Sequence, residues 1–293
     1  MKPITRYLGV FVCTALSACA SGAPLSSGKP FDLTPPKTMM ADGIFYSQRA
    51  WPGTVPMQVA IVEIDLQTRG LSFAVSSGRA SDASEYRSQT TSTFLRESGA
   101  IVAINGGYFS PVVSAEGLGQ DAVGFAKSNG RVVSPASTPQ TAGAAKAVVC
   151  FDRRQVQILA ALACPDRFAN GLAAGPLLVQ DGAIKVDPKN ATRHPRSILG
   201  INASGNRLWL VTIDGRQKGY SEGASFAESA LILQALGAAH AINLDGGGST
   251  ALVYRDPVQG PRVLNRPIQG GVPGTERPVA THIGVFTKAK PKT

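Results

Sequence analysis

The chain has 293 residues, of which 43% are hydrophobic and 16% charged, and its formal net charge of +10 falls to +8 without Lys2 and Arg6. That composition supplies the core of one large domain, or of two intimately joined ones. Lys and Arg are dispersed and no nucleic-acid motif appears, which argues against a nucleic-acid partner. The basic excess suits anionic glycans, phosphodiesters or lipid headgroups, or serves solubility alone.

Residues 1–19 read as a targeting segment. Lys2 and Arg6 form a basic start, and Tyr7 to Leu16 is an apolar stretch too short to span a bilayer. It ends Leu16-Ser17-Ala18-Cys19, which resembles the bacterial lipobox, with Cys19 lipidated and becoming the new N-terminus. The alternative is an ordinary secretory signal cut near Ala18 or Ala20. Because Ala20 is not aspartate, analogy with Gram-negative sorting points to the outer membrane, with the protein facing the periplasm. Residues 20–40, rich in Ser, Gly, Pro and Lys, read as a flexible tether reaching on the order of 25 Å. The domain proper is expected over 41–288.

Within it strands dominate. Met57 to Leu66 and Leu71 to Ser76 carry alternating or β-branched apolar residues. Val123 to Val133 brackets Asn129-Gly130 and Leu177 to Val186 brackets Asp181-Gly182, so both predict hairpins. Further strands are expected at Ile101–Asn105, Ala147–Phe151, Val156–Leu159, Ile198–Asn202, Leu208–Ile213, Ala241–Leu244, Ala251–Tyr254 and His282–Phe286. Helices are few: a short one over Thr91–Glu97, and Ser225–Leu236 with Ser225 as N-cap, Glu228 three residues on and Gly237 as the stop. The expected fold is α+β with a large mixed, strand-rich β-sheet. Once Cys13 leaves with the signal and Cys19 is acylated, Cys150 and Cys164 remain, and in an oxidising compartment they are expected to pair.

Two segments carry the chemistry. Asn243-Leu244-Asp245-Gly246-Gly247-Gly248-Ser249-Thr250 joins two apolar runs, whereas a hairpin turn needs only Asp-Gly. Glycine gives positive φ and close backbone approach, and successive N–H groups in such a loop can form an anion site. Earlier, Ala103-Ile104-Asn105-Gly106-Gly107 repeats the theme of an Ala-Ile-Asn strand opening into glycine, as if adjacent strands delivered polar groups to one cleft. With Gly175-Pro176-Leu177-Leu178, His194-Pro195-Arg196-Ser197, Val211 to Arg216 and Glu276-Arg277-Pro278-Val279-Ala280, these runs make the chain resemble the phosphodiester glycosidase family over about residues 55–287. The resemblance implies hydrolysis of a sugar-1-phosphodiester, here in a cell-envelope or extracellular glycan. It leaves the sugar and aglycone open. A non-catalytic glycan-binding lipoprotein of the same fold is the alternative.

Glycosidic cleavage uses carboxylates as acid, base or nucleophile, and the resemblance places Asp214, Glu228 and Asp245 near its motifs. Asp245, expected among backbone N–H groups that keep it ionised, can act as base, bind sugar hydroxyls or orient the loop. Asp214 before Gly215 is a site residue or a turn residue. Glu228 is catalytic or caps its helix. Arg196 and Arg277, each beside a proline, are the phosphate-gripping candidates, with surface salt bridges as the alternative. Asn105, Gly106, Asn243, Gly246, Gly247, Ser249 and Thr250 complete the expected substrate-binding set. His194, His240 and His282 lack metal-ligand spacing. No cofactor or metal is expected, although a divalent cation at Asp245 stays open.

Overall fold

The computed structural model describes residues 37–51, 54–78 and 83–287. Cys19, the targeting segment and most of the expected tether therefore lie outside the described residues. The first described strand, Thr38–Ala41, begins inside the segment read as tether and pairs with Ile44–Trp51, so the domain starts earlier than 41.

The strand-rich α+β expectation holds, and the strands divide among several sheets instead of forming one. An eight-stranded sheet runs in the order Thr38–Ala41, Ile44–Trp51, Met57–Asp65, Arg207–Ile213, Arg196–Ile201, His240–Asn243, Leu177–Gln180, Ala183–Ile184. A five-stranded sheet orders Gly260–Val263, Leu252–Asp256, Val102–Asn105, His282–Phe286 and Ser72–Val75. Another orders Arg131–Ser134, Ala126–Ser128, Asn170–Ala174, Ala147–Asp152 and Gln155–Leu159. Every ladder in the eight-stranded sheet is antiparallel. The reason is topological. The helical crossover from Arg207–Ile213 reaches His240–Asn243, a parallel strand, but Arg196–Ile201 is inserted between them and pairs antiparallel with both.

Both faces of the large sheet are buried. Val59 and Ile61 join Ile198, Val211, Ile213, Ala230 and Leu233 on the helix side. The alternate residues Ala60, Val62 and Ile64 face a second core shared with Phe73, Ile104, Val149, Leu199, Ile242 and Ile283, drawn from these three sheets. Strands buried on both sides read as continuous apolar runs, as these do.

Helix α1 (Thr91–Ser98) is capped by the Thr90 side chain and ends at Gly99, φ 75°. Helix α2 (Phe226–Leu236) has the expected capping box: Ser225 Oγ accepts from Glu228 N–H at 3.2 Å, and Glu228 Oε2 from Ser225 N–H at 2.9 Å. Such a box contributes roughly 1 kcal/mol. Cys150 and Cys164 are joined by a disulfide. It fastens the strand Ala147–Asp152 to the segment after the hairpin that strand begins.

Candidate active site

The strand His240–Asn243 delivers Leu244 into the core and Asp245 to the surface of the fold. The chain then turns through the 3-10 segment Gly247–Ser249. Asp245 is partly exposed, whereas Ser249 and Thr250 are only 1% exposed. The loop is pinned at its start: Leu244 N–H donates to Ser197 O at 2.8 Å, and Asp245 N–H to Gly106 O at 3.0 Å.

Each glycine of the triplet has its own steric reason. A Cβ on Gly246 would lie 2.7 Å from Pro195 O. Gly247 has φ 63°, and a Cβ there would lie 3.0 Å from Nη2 of Arg216. On Gly248 it would lie 2.5 Å from Nη2 of Arg277 and 2.7 Å from Oε1 of Gln269. The bare backbone thus lets two guanidinium groups settle against adjacent residues.

Four of the loop N–H groups expected to form an anion site are taken by protein acceptors. Gly246 N–H donates to Asp245 Oδ1 at 2.9 Å and Gly247 N–H to Pro195 O at 2.9 Å. Ser249 and Thr250 N–H donate to Gly246 O and Gly247 O, closing the 3-10 turn. Positive charge here comes from arginine side chains instead. Asp245 also differs from the expectation. It accepts from the Gly246 N–H and the Ser249 hydroxyl and feels the charges of Arg277 and Arg216, yet burial outweighs these and holds its pKa above the ordinary aspartate value.

The two Ala-Ile-Asn strands lie in different sheets, and their asparagines bind protein. Asn105 is fully buried. Its Oδ1 accepts from Ser197 Oγ at 2.6 Å and Ala251 N–H at 3.2 Å, while Nδ2 donates to Asp245 O at 2.7 Å. It brackets both ends of the glycine loop. Asn243 Nδ2 donates to Tyr108 Oη at 3.1 Å and Gly175 O at 3.0 Å, which ties in the Gly175-Pro176 turn. Gly106 has its N–H on Thr281 O at 2.7 Å, so it supplies no free donor. These three residues build the site's frame.

Two expected carboxylates are occupied as well. Asp214, 2% exposed, accepts from Asn265 Nδ2 at 3.0 Å, Arg266 N–H at 2.8 Å and Tyr220 Oη at 3.2 Å. Burial raises its pKa against those bonds. Asn265 also donates to Thr250 O at 3.2 Å, so Asp214 supports the far end of the loop. Glu228 completes the capping box and pairs with Arg193. Thr250 has a buried hydroxyl with no hydrogen-bond partner among the described residues. The structure brings Asp245, Ser249 and Arg277 together, and of the three expected carboxylates Asp245 is the one that lies in the glycine loop beside the arginines.

The arginines divide in role. Arg277 donates from Nε to Gln269 Oε1 at 2.6 Å and from Nη1 to Ser249 Oγ at 3.4 Å. Its neighbour Glu276 accepts from Ser92 N–H at 3.1 Å in the first turn of α1, anchoring the segment that presents Arg277. Arg196 is only 6% exposed. Its Nε donates to Ala224 O at 2.9 Å and Nη2 to Thr192 O at 3.2 Å, and its guanidinium lies 3.9 Å from the centre of the Phe226 ring. Burial pushes its pKa down to about 10, so it stays charged at neutral pH. None of Arg196, Arg216 and Arg277 has an ion-pair partner among the described residues. The expected site set lacks Arg216, Tyr108, Gln269 and Glu276, although the sequence runs that carry the resemblance contain Arg216 and Glu276. The signals available were the Asp-Gly-Arg run at 214–216 and the glutamate preceding Arg277.

The profile of the phosphodiester glycosidase family (NAGPA) matches residues 98–286, more than half of the sequence. The chain belongs to the phosphodiester glycosidase family. Within that family's span lie the glycine loop, Arg196, Arg216 and Arg277. The fold is similar to the zebrafish N-acetylglucosamine-1-phosphodiester alpha-N-acetylglucosaminidase catalytic domain, auto-inhibited by its pro-peptide, at TM-score 0.61 and 18% identity, covering 88% of this chain and 86% of that one. It is similar also to a Synechocystis protein at TM-score 0.61 and 18% identity, covering 87% of this chain and 64% of that one. No curated protein sequence matches the chain. Among the described residues, no group of three or more His, Cys, Asp or Glu converges as a metal site.

Proposed function

We propose that this protein is a hydrolase that cleaves the glycosidic bond of a sugar-1-phosphodiester in a cell-envelope or extracellular glycan. The observation that carries the reading is a partly exposed carboxylate, Asp245, within the fields of Arg277 and Arg216, two guanidinium groups with no ion-pair partner among the described residues. A phosphate leaves as a stabilised anion, so cations can take over much of what a general acid does for an ordinary glycoside. One carboxylate then suffices, as base toward water or as nucleophile, and its raised pKa strengthens it as a base. Asp214 and Glu228 contribute by holding the loop and α2.

That two of three expected carboxylates are occupied also favours a second reading, a glycan-binding protein without turnover. Hydrolysis of glycose-1-phosphodiesters in ¹⁸O-labelled water separates the readings. The label is expected in the released sugar, with the phosphomonoester unlabelled. Label in the phosphate means attack at phosphorus, and binding without turnover supports the second reading. We further propose that lipid on Cys19 holds the protein at the outer membrane, facing the periplasm, so Cys19→Ser is expected to release it into the soluble fraction. A Cys19→Ser protein still fractionating with membranes rejects the anchor.

A further inference from the structure

We propose that Arg216 and Arg277 form a clamp selective for a phosphate bearing two negative charges, with Arg216 receiving the charge the phosphate gains as the glycosidic bond breaks. The inference rests on the hydrolytic reading above for its chemistry and on the following geometry for its existence. Arg216 lies against Gly247 and Arg277 against Gly248, residues whose Cα atoms are about 3.8 Å apart. Two like charges are therefore held side by side; for Arg277 burial and Arg216 together depress the pKa, with Asp245 acting against them. Among the described residues, the negative charge acting on Arg277 is that of Asp245. His194, whose Nδ1 lies 3.4 Å from Arg216 Nη2, has its pKa lowered by burial and by the charges of Arg196 and Arg216.

Arg216 is also held in an unfavourable backbone. Its φ is 59°, a left-handed conformation that costs a residue with a Cβ. The turn that enforces it is well secured: Gln217 and Ser221 exchange backbone hydrogen bonds at 3.0 and 2.9 Å, and Gln217 Nε2 donates to Arg266 O at 2.9 Å. The side chain is exposed and its hydrogen-bonding partner among the described residues is His194. A strained, solvent-reachable guanidinium laid on a glycine fits a ligand-binding group better than a structural one.

A phosphodiester carries one negative charge. As the water oxygen bonds to the anomeric carbon, the bond from that carbon to the bridging oxygen breaks and its electron pair stays on the phosphate. The water proton passes to Asp245 and then to solvent. The products are a free reducing sugar and a phosphomonoester of charge near −2. A pair of guanidinium groups matches that product-like charge better than the substrate's single charge, which is what acceleration requires.

The test is calorimetric binding of methyl phosphate and dimethyl phosphate to the full-length protein at pH 7.5. Wild type is expected to prefer the dianionic methyl phosphate by about tenfold or more. Arg216→Asn, whose side chain tolerates the left-handed backbone, is expected to bring the preference below about threefold while keeping Tm. In Arg262→Gln, which removes a charge outside the clamp, the preference should persist. Equal binding by wild type, an intact preference in Arg216→Asn, or an equal loss in Arg262→Gln each overturns the clamp. Where a glycose-1-phosphodiester is turned over, Arg216→Asn is expected to lower kcat by about 30-fold or more with little change in KM. Dianion preference without any turnover would refute the hydrolytic reading and leave the clamp standing.

Discussion

Gly248→Ala separates the two jobs that glycine does in this site. The added Cβ would lie 2.5 Å from Arg277 Nη2, 2.7 Å from its Cζ and 2.7 Å from Gln269 Oε1. Carbon and nitrogen in contact sit roughly 3.5 Å apart, so the overlap must be relieved. The obstructing atoms are the ends of long side chains, and Gly248 lies outside the positive-φ glycines. Relief therefore comes from swinging Arg277 away, at the loss of its 2.6 Å bond to Gln269. That bond contributes about 0.5–1.5 kcal/mol net, and alanine returns about 0.4–1 kcal/mol through the unfolded chain. Stability should barely move. Activity should fall by about 30- to 1,000-fold, the usual cost of a displaced charge-stabilising donor. Gly106→Ala is the contrast. Its Cβ would lie 2.8 Å from both the carbonyl carbon and oxygen of Thr281, which are backbone atoms in a hydrogen-bonded arrangement that cannot rotate away. About 1–3 kcal/mol or more of stability should be lost. Urea denaturation and initial rates on the same preparations decide the matter, and in an Arg277→Ala background Gly248→Ala should cost no further activity. A fully active Gly248→Ala, or one as destabilised as Gly106→Ala, refutes the reasoning.

Asp245→Asn should abolish activity yet stabilise the fold at neutral pH. The folded pKa is raised, so the aspartate's favourable contribution is present below its ordinary pKa and lost as pH rises through the raised value. The gain from asparagine should therefore shrink toward pH 3 in urea titrations; a gain growing toward acid pH would contradict the sign. His282 has the opposite sign: fully buried and stacked on Phe94, it is held at about 3 by burial, so its contribution is present above about pH 6.5 and lost as pH falls. Between pH 6.5 and 4 this amounts to roughly 3 kcal/mol, and His282→Phe should flatten that part of the stability profile, whereas an unchanged profile would exclude it as the source. For the disulfide, a non-reduced digest of exported protein should contain the linked Cys150 and Cys164 peptides, and Cys150→Ser with Cys164→Ser should cost roughly 3 kcal/mol. Two alkylatable thiols in the native protein would refute the pairing.

The local elements were open to sequence reasoning because their causes are local. The Ser225–Glu228 capping box, the stop at Gly237 and the hairpin turns at Asn129-Gly130 and Asp181-Gly182 each depend on residues within a few positions of one another. The glycine triplet likewise announced a loop with a purpose. Strands such as Ile44–Trp51, paired on both sides, and Asn170–Ala174 went unread, since a segment of mixed polar and aromatic residues and a run of small residues become strands only through the partners they meet. The site's division of labour was decided in the same way. Asn105 and Asp214 carry the side chains of binding or catalytic residues, but bonds to Ser197, Ala251, Asn265 and Arg266 occupy them. Arg216 became a site residue because its turn aims it at Gly247, while Glu228 was taken by Ser225 and Arg193. Sequence determines which polar groups a chain possesses and the local geometry that short-range bonds impose. Which of those groups stay available for a ligand depends on contacts between residues far apart in the chain, and only folding settles them, because a buried polar atom takes whatever partner the tertiary structure brings within reach.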